Sequence, residues 1–395
     1  MGADARHVVL VAHDIQAVGG MERQLSELIL GLLERGWEVT VVSRTLHLAG
    51  RPGLRWLRVR APGRPFPLAY PWFFVASALK ARRAGPGLRH ATGAIMLGRS
   101  DLSTVHLCHA AIRERAPVTR ASRASAAYRL NAALAAWIRR VTERWCYGPR
   151  RVRLLAGVSD GVSRELEQYV PETRGRVRTV PNGVEPAFFR PPADAEERLH
   201  PAVGAPDGRL VALFVGSEWE GKGLRLAIEA VAQSPRWRLV VVGRGDVERY
   251  RALAGELGAR DRVRFNEPLV DVAPVYRAAD AFLLPTAYET FSLVTYEAAA
   301  SGLPLLVPRV SGVEDLLEDG RNGWFVPRDA AAIAARLHTL EDENLRIEFG
   351  RAAREASLRF SWSAMVDAYV ALYGELSPNG ATPSPARARA RVPAR

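Results

Sequence analysis

Leu210-Val-Ala-Leu-Phe-Val215 runs straight into Gly216-Ser217-Glu218-Trp219-Glu220-Gly221-Lys222-Gly223, and Leu224–Gln233 and Leu239–Val242 follow. The first apolar run reads as a strand covered on both faces and the glycine-bounded stretch as a loop. Leu224–Gln233 has the length and periodicity of a helix, and Leu239–Val242 is a second strand. Strand, loop, helix, strand is the repeating unit of a doubly wound parallel sheet.

The same alternation extends downstream. It predicts a helix over Asp246–Leu257, a strand over Val263–Phe265, a helix over Val272–Ala278, a strand over Ala281–Leu284, a helix over Ser292–Ala300 and a strand over Leu305–Val307. Upstream, Val8–Ala12 is a strand followed by a helical segment to Glu34, then Gly36 and a strand over Glu38–Ser43. Leu154–Val158 and Val177–Val180 add strands, with Pro181-Asn182-Gly183 as a turn. Residues 190–208, rich in Pro, Ala and Glu, read as a linker, so the fold class is α/β with two Rossmann-like doubly wound domains facing a cleft. The expected divisions are 1–190 and 191–360, a last amphipathic helix in 361–376, and a disordered Arg/Pro/Ala tail over 377–395.

The chain has 395 residues, 48% of them hydrophobic and 25% charged, which suits two or three domains with substantial cores and excludes a disordered or disulfide-scaffold class. Cys108 and Cys146 form no CxxC or Cys/His cluster, so no metal site is expected and the compartment reads as reducing. The N-terminus has the wrong order for a signal peptide, and the longest apolar run, Leu68–Leu79 with Pro71 inside it, is too short to span a bilayer. The expected location is cytoplasmic, with peripheral attachment to the inner face of the cell membrane if the basic half docks there.

Charge is unevenly placed. Of the net +13, residues 44–153 supply 22 Lys and Arg against Asp101, Glu114 and Glu143, a local net of +19. A polyanion fits this stretch: an anionic membrane surface or a lipid-phosphate acceptor. An arginine-rich solvated face is the structural alternative. No ribonucleoprotein, zinc-finger or basic-zipper signature accompanies the charge, so nucleic acid is not an expected partner. Tyr70, Trp72, Phe73 and Phe74, followed by Lys80, Arg82 and Arg83, are the candidate docking group, with a buried helix as the competing reading.

Only two of the 55 cations are lysines, Lys80 and Lys222. A lysine kept between glycines at a strand end points to a need for a compact ammonium, suited to neutralising a diphosphate. Gly223 follows Lys222 where a Walker A loop needs Ser or Thr. Gly19-Gly20, between the first strand and helix, permits close approach of a ligand to unpaired helix N–H groups, or is a plain turn. Neither this loop nor Gly243-Arg244-Gly245 completes G-x-G-x-x-G, which disfavours a dinucleotide oxidoreductase.

The densest stretch is Pro285-Thr-Ala-Tyr-Glu289-Thr-Phe291-Ser292-Leu293-Val-Thr-Tyr-Glu297-Ala-Ala-Ala-Ser-Gly302-Leu-Pro304. On a single helix the two glutamates would lie about 12 Å apart along the axis and about 80° apart around it. That is wider than the roughly 5–9.5 Å of a glycosidase pair. Hydroxyl recognition at two separated points suits them better, with the N–H groups of Phe291, Ser292 and Leu293 between them offered to a phosphate. Structurally silent glutamates are the alternative.

Glu289-x7-Glu297 with its Ala-Ala-Ala-Ser-Gly-Leu-Pro continuation resembles the E-x7-E motif of retaining GT-B glycosyltransferases of family 4. Gly19-Gly20-Met-Glu, Pro181-Asn182-Gly183-Val-Glu, Phe214-Val-Gly-Ser217 with Lys222-Gly223, Ala279-Asp280 and Gly320-x-Asn-Gly323 extend the likeness over roughly residues 7–376. The motif style is similar to the branch containing the lipopolysaccharide core glucosyltransferase. The resemblance implies a GT-B fold with an acceptor-binding N-terminal domain, a donor-binding C-terminal domain and a last helix crossing back to the first. It implies catalytic roles for His106, Lys222 and Glu289, with donor binding by Gly19, Gly20, Ser217, Lys222, Glu289, Phe291, Ser292, Leu293 and Glu297. Glu297 would take the ribose, Glu289 the sugar hydroxyls, and Lys222 with the amides at Gly20 and Ser292–Leu293 the leaving diphosphate. Thr104-Val105-His106 matches a motif whose histidine approaches the donor sugar, here in positioning and electrostatics; His109 is the weaker candidate.

The resemblance implies no metal or other cofactor, a UDP- or GDP-sugar as co-substrate and a glycan or lipid-linked glycan as acceptor. The family's second diphosphate cation, an arginine, is replaced by Ser217 or Gly221, leaving Arg225 or Arg244 as substitutes. A catalytically inactive binding protein of the same fold at anionic membranes is the competing function.

Overall fold

The structure, a computed structural model, describes residues 6–16, 19–61, 66–111 and 126–377. The expected tail, from residue 378 onward, lies outside the described residues. The first of two large sheets has seven strands in the order Leu54–Arg58, Glu38–Ser43, His7–Val11, Leu88–Thr92, Ser100–Val105, Val152–Gly157, Val177–Thr179. The second has six, in the order Val263–Asn266, Trp237–Val242, Leu210–Val215, Ala281–Leu283, Leu305–Val307, Gly323–Phe325. Neighbouring strands pair in parallel throughout both. Val8–Val11 and Leu239–Val242 are buried residue after residue, because helices cover both faces of each sheet.

The strand order positions the site. In the first sheet the chain builds outward from His7–Val11 to Leu54–Arg58, then returns to place Leu88–Thr92 on the other side of His7–Val11. In the second it builds outward from Leu210–Val215 to Val263–Asn266 and returns to place Ala281–Leu283 beside its first strand. Each reversal opens a crevice at the carboxyl ends of the central strands. The loops after residues 11, 215 and 283 emerge there, and they carry Gly19-Gly20, Gly216–Gly223 and Pro285–Ser292.

Residues 44–153, opaque in the sequence, contain three strands of the first sheet and the helices Phe66–Arg83 and Ala126–Tyr147. The four aromatic residues of the candidate docking group divide between the two readings. Tyr70 and Phe73 belong to the core beside Val9, Val11 and Val42, and Phe74 packs against Trp145 at 5.6 Å between ring centroids. Of the four, only Trp72 is fully turned outward.

The last helix, Trp362–Leu376, is capped by Ser361, whose hydroxyl accepts from Ala364 N–H at 3.1 Å. It packs on the first helix, Gly20–Glu34, and on the first sheet, placing Met365, Val366, Tyr369 and Tyr373 among Leu25, Leu28, Ile29 and Val39. Each such buried side chain contributes about 1.5–3 kcal/mol. The chain passes between the two units twice, side by side: Val184 N–H donates to Phe360 O at 2.7 Å. Gly183 is required at that crossing, since a Cβ there would overlap the Ser361–Trp362 backbone.

Candidate functional site

Lys222 closes the short helix Trp219–Lys222 behind Leu210–Val215. Its loop is fixed from below. The Trp219 indole N–H donates to Gly216 O at 2.9 Å, and Ala287 N–H donates to Gly221 O at 3.0 Å. Gly223 has φ 79° and lies against Pro285 O so closely that a Cβ would overlap it. This contact seats the lysine loop on the Pro285–Ser292 loop, and the Lys222 ammonium pairs with the Glu289 carboxylate.

Ser292, in the expected helix, instead precedes it in a left-handed conformation (φ 69°). The helix begins at Leu293, and the Ser292 hydroxyl bonds Thr295 Oγ1 at 2.8 Å, leaving the helix-start amides without a side-chain cap. Such a strained non-glycine residue at a helix start is characteristic of functional turns. Phe291 stacks on Tyr296 with centroids 4.1 Å apart, so its buried ring anchors the loop.

Glu297, one turn into the helix, is buried, and each of its carboxylate oxygens accepts one hydrogen bond. Arg23 Nη1 donates to its Oε1 at 2.8 Å and the Tyr276 hydroxyl donates to Oε2 at 3.0 Å. Burial pushes the Glu297 carboxyl above its ordinary range, and the Arg23 charge and Tyr276 hydrogen bond pull it back. The Arg23 guanidinium also lies over the rings of Phe189 and Trp362, at 5.6 and 5.7 Å. One arginine of the first helix thus spans the crevice to an acid of the second unit.

Other contacts draw the two sides together. A Cβ at Gly20 would stand 3.3 Å from the Leu293 side chain, and the Glu22 carboxylate folds over Gly19. The Ser159 hydroxyl donates to Thr290 O at 2.7 Å, and Asp160 N–H to Asp315 Oδ2 at 3.1 Å. His106 follows Ser100–Val105 at this same end, where Val158 N–H donates to Val105 O at 3.3 Å, one residue before Ser159. Its Nε2 is enclosed without a hydrogen-bond partner, and burial lowers its pKa to about 4, so the ring is neutral near pH 7. His109 is also lowered to about 4 by burial, then by Arg139. The backbone N–H groups of His109 and Ala110 bind the Glu143 carboxylate.

The structure therefore gathers Gly19, Gly20, Leu293 and Glu297 across one crevice and pairs Lys222 with Glu289 on its second-unit side. Ser217 lies beside Gly243–Arg244, accepting from Arg244 N–H at 3.3 Å. The two candidate substitute arginines are placed otherwise: Arg225 pairs with Glu229 along its own helix, and Arg244 is exposed. Arg23 and Tyr276 are the site residues sequence reasoning missed. Arg23 had a signal, since it stands three residues after Gly20 on the same helix face; Tyr276 had none. Among the described residues, no group of three or more His, Cys, Asp and Glu is gathered to hold a metal ion.

Two parallel α/β units whose switch-point loops meet across a crevice define the GT-B class of fold. The family model for glycosyltransferase family 4 matches residues 18–188, and the model for group 1 glycosyl transferases matches residues 209–343. The D-inositol 3-phosphate glycosyltransferase of Xylanimonas cellulosilytica is 30% identical over 89% of this chain and 91% of its own length. The chain belongs to glycosyltransferase family 4. The protein of that same description from Acidothermus cellulolyticus is 34% identical over 58% of this chain. There, the chain spans about half of its curated relative, 55% of its length. The crystal structure of WaaG, a glycosyltransferase involved in lipopolysaccharide biosynthesis, superposes with a TM-score of 0.76 over 94% of this chain and all of WaaG, at 19% identity.

Proposed function

We propose that this protein is a retaining glycosyltransferase that moves a hexosyl group from a nucleotide diphosphate sugar to a glycan or glycolipid acceptor, in the assembly of a surface polysaccharide or glycoconjugate. The observation that carries the reading is the Lys222–Glu289 pair set beside an uncapped helix start that faces Gly20. In the reaction the bond from the anomeric carbon to the diphosphate oxygen breaks, and the acceptor oxygen bonds that carbon on the same face. The acceptor proton passes to the departing phosphate oxygen. Charge grows on the diphosphate as it leaves, so the fixed ammonium of Lys222 and the amides at Gly20 and Ser292–Leu293 act where the barrier is highest. Glu289 grips the transferred sugar, Glu297 the ribose, and neutral His106 acts in positioning and electrostatics beside the sugar. No side chain is required as a base.

On the acceptor side, Asp14, Arg44, Arg58 and Arg60 line a crevice of about 660 Å³ at the carboxyl edge of the first sheet. Three arginines against one acid suit an acceptor that carries phosphate, and the curated relatives are described as acting on an inositol phosphate. The test is release of UDP or GDP from a panel of nucleotide sugars, with D-inositol 3-phosphate and phosphate-bearing glycolipids as acceptors. Lys222→Ala and Glu289→Ala should each lower turnover by about 10²–10³-fold. Full activity in both variants refutes the assignment.

A further inference from the structure

The helix Phe66–Arg83 is apolar all round, yet only one side of it is covered. Ala69, Tyr70, Phe73, Ser77, Ala78 and Ala81 face the core. Leu68, Trp72, Val75 and Leu79 recur at helical spacing on the opposite side, where they are between 45% and 69% exposed. A helix of this composition in a globular protein is normally enclosed. The Trp72 indole N–H donates to Arg60 O at 3.0 Å, so the ring offers only hydrocarbon outward.

The neighbouring helix, Ala126–Tyr147, repeats the pattern. It packs along the first through Tyr70 with Thr142 and Phe74 with Trp145, while Leu134, Trp137 and Val141 stand exposed. Two adjacent helices thus each carry an apolar stripe into solvent, and exposed apolar surface gathered in this way marks an interaction site.

Charge selects the partner. Residues 66–111 and 126–153 contain 12 Lys and Arg against two acids, Asp101 and Glu143. Both acids are spent internally: Asp101 binds Arg89 N–H and pairs with Arg153, and Glu143 is buried on the backbone of His109 and Ala110. Lys80, Arg82 and Arg83 close the first apolar stripe, and Arg139, Arg140 and Arg144 accompany the second. An apolar strip bordered by cations, with no free acid among these described residues, has the chemistry of an anionic bilayer surface. Hydrocarbon enters the acyl boundary and guanidinium groups meet phosphates.

We propose that these two helices form a docking face for anionic membranes, with Leu68, Trp72, Val75, Leu79, Trp137 and Val141 at the acyl boundary. No helix among the described residues is long and apolar enough to cross a membrane, so attachment at this face is interfacial. The inference stands apart from the enzymatic reading: none of these side chains belongs to the donor crevice, and of the six only Trp72, left unchanged in the test below, borders the proposed acceptor crevice.

The test is co-sedimentation of the full chain with phosphatidylglycerol/phosphatidylcholine vesicles and with phosphatidylcholine alone, at low and high salt. Binding should require the anionic lipid and fall with salt. Leu68→Gln/Val75→Gln/Leu79→Gln should lower partitioning by roughly a hundredfold, and each cation among Lys80, Arg82 and Arg83 changed to Gln by about fivefold. UDP- and GDP-sugar hydrolysis is assayed on the triple variant, where it should be unchanged. Equal vesicle binding by the triple variant and the parent overturns the proposal, as does equal binding to neutral vesicles. A parent that is dimeric by sedimentation velocity, that the triple substitution makes monomeric, and that ignores vesicles assigns the face to a second copy and overturns it too. Vesicle binding without hydrolysis of any donor by the parent removes the enzymatic reading and leaves the docking face standing.

Discussion

Acidification should unfasten the C-terminal helix through a single histidine. His90 is wholly buried between the first sheet and Trp362–Leu376, its Nδ1 2.6 Å from the Tyr373 hydroxyl and its Nε2 2.8 Å from Thr104 Oγ1. Thr104 is in turn bonded to the Tyr369 hydroxyl at 2.7 Å. Burial, with His106 nearby, pushes the His90 pKa down from 6.5 to about 3. Over that interval the unfolded chain takes up a proton that the folded chain refuses, so stability is lost as pH falls below the unfolded value. Between about pH 8 and pH 5 this group alone removes about 2 kcal/mol.

The perturbation is His90→Gln, which keeps polar atoms near both hydroxyls but cannot titrate. The variant should be less stable than the parent near pH 8, and the gap should narrow by about 2 kcal/mol near pH 5. His13, His106 and His109, also held low, are common to both proteins and cancel in the difference. Urea unfolding across the pH range measures the gap, and amide hydrogen exchange over Trp362–Leu376 locates it. A gap that stays constant with pH refutes the account.

Arg23→Ala strips the cation from buried Glu297 and should cost about 1–3 kcal/mol at neutral pH. The Glu297 pKa then rises further above its unfolded value, so the deficit should shrink as pH falls through the carboxylate range, read by thermal unfolding against pH. Gly223→Ala forces a side chain into positive φ and onto Pro285 O; it should cost more than about 2 kcal/mol and release the Lys222–Glu289 pair, read by loss of nucleotide-induced thermal stabilisation.

Much of the fold is legible in the chain because doubly wound sheets write their strands as short, wholly apolar runs. Val8–Val11, Leu210–Val215 and Leu239–Val242 are covered on both faces, so burial leaves no room for polar residues. Leu88-Arg-His-Ala-Thr92 and Ser100-Asp-Leu-Ser-Thr-Val105 escaped detection for the opposite reason. His90 and Thr104 are buried polar groups satisfied by Tyr373 and Tyr369, about 280 and 265 residues away, and nothing local announces such a partner. The glycines and acids of the crevice were legible as motifs, since close backbone approach demands glycine at a fixed place along the chain and the pairs with Lys222 and Arg23 demand an acid.

By itself, then, the sequence determined the two-sheet architecture, the loops that converge and the imbalance of charge. Only the tertiary structure decided which charges meet: Arg23 reaches Glu297, while Arg225 turns to Glu229. It also decided that Tyr70 and Phe73 are core whereas Leu68 and Leu79 face solvent. Periodicity gives the faces of a helix but not which one a neighbour covers, and pairing of charges depends on distances that exist only after the chain has folded back on itself.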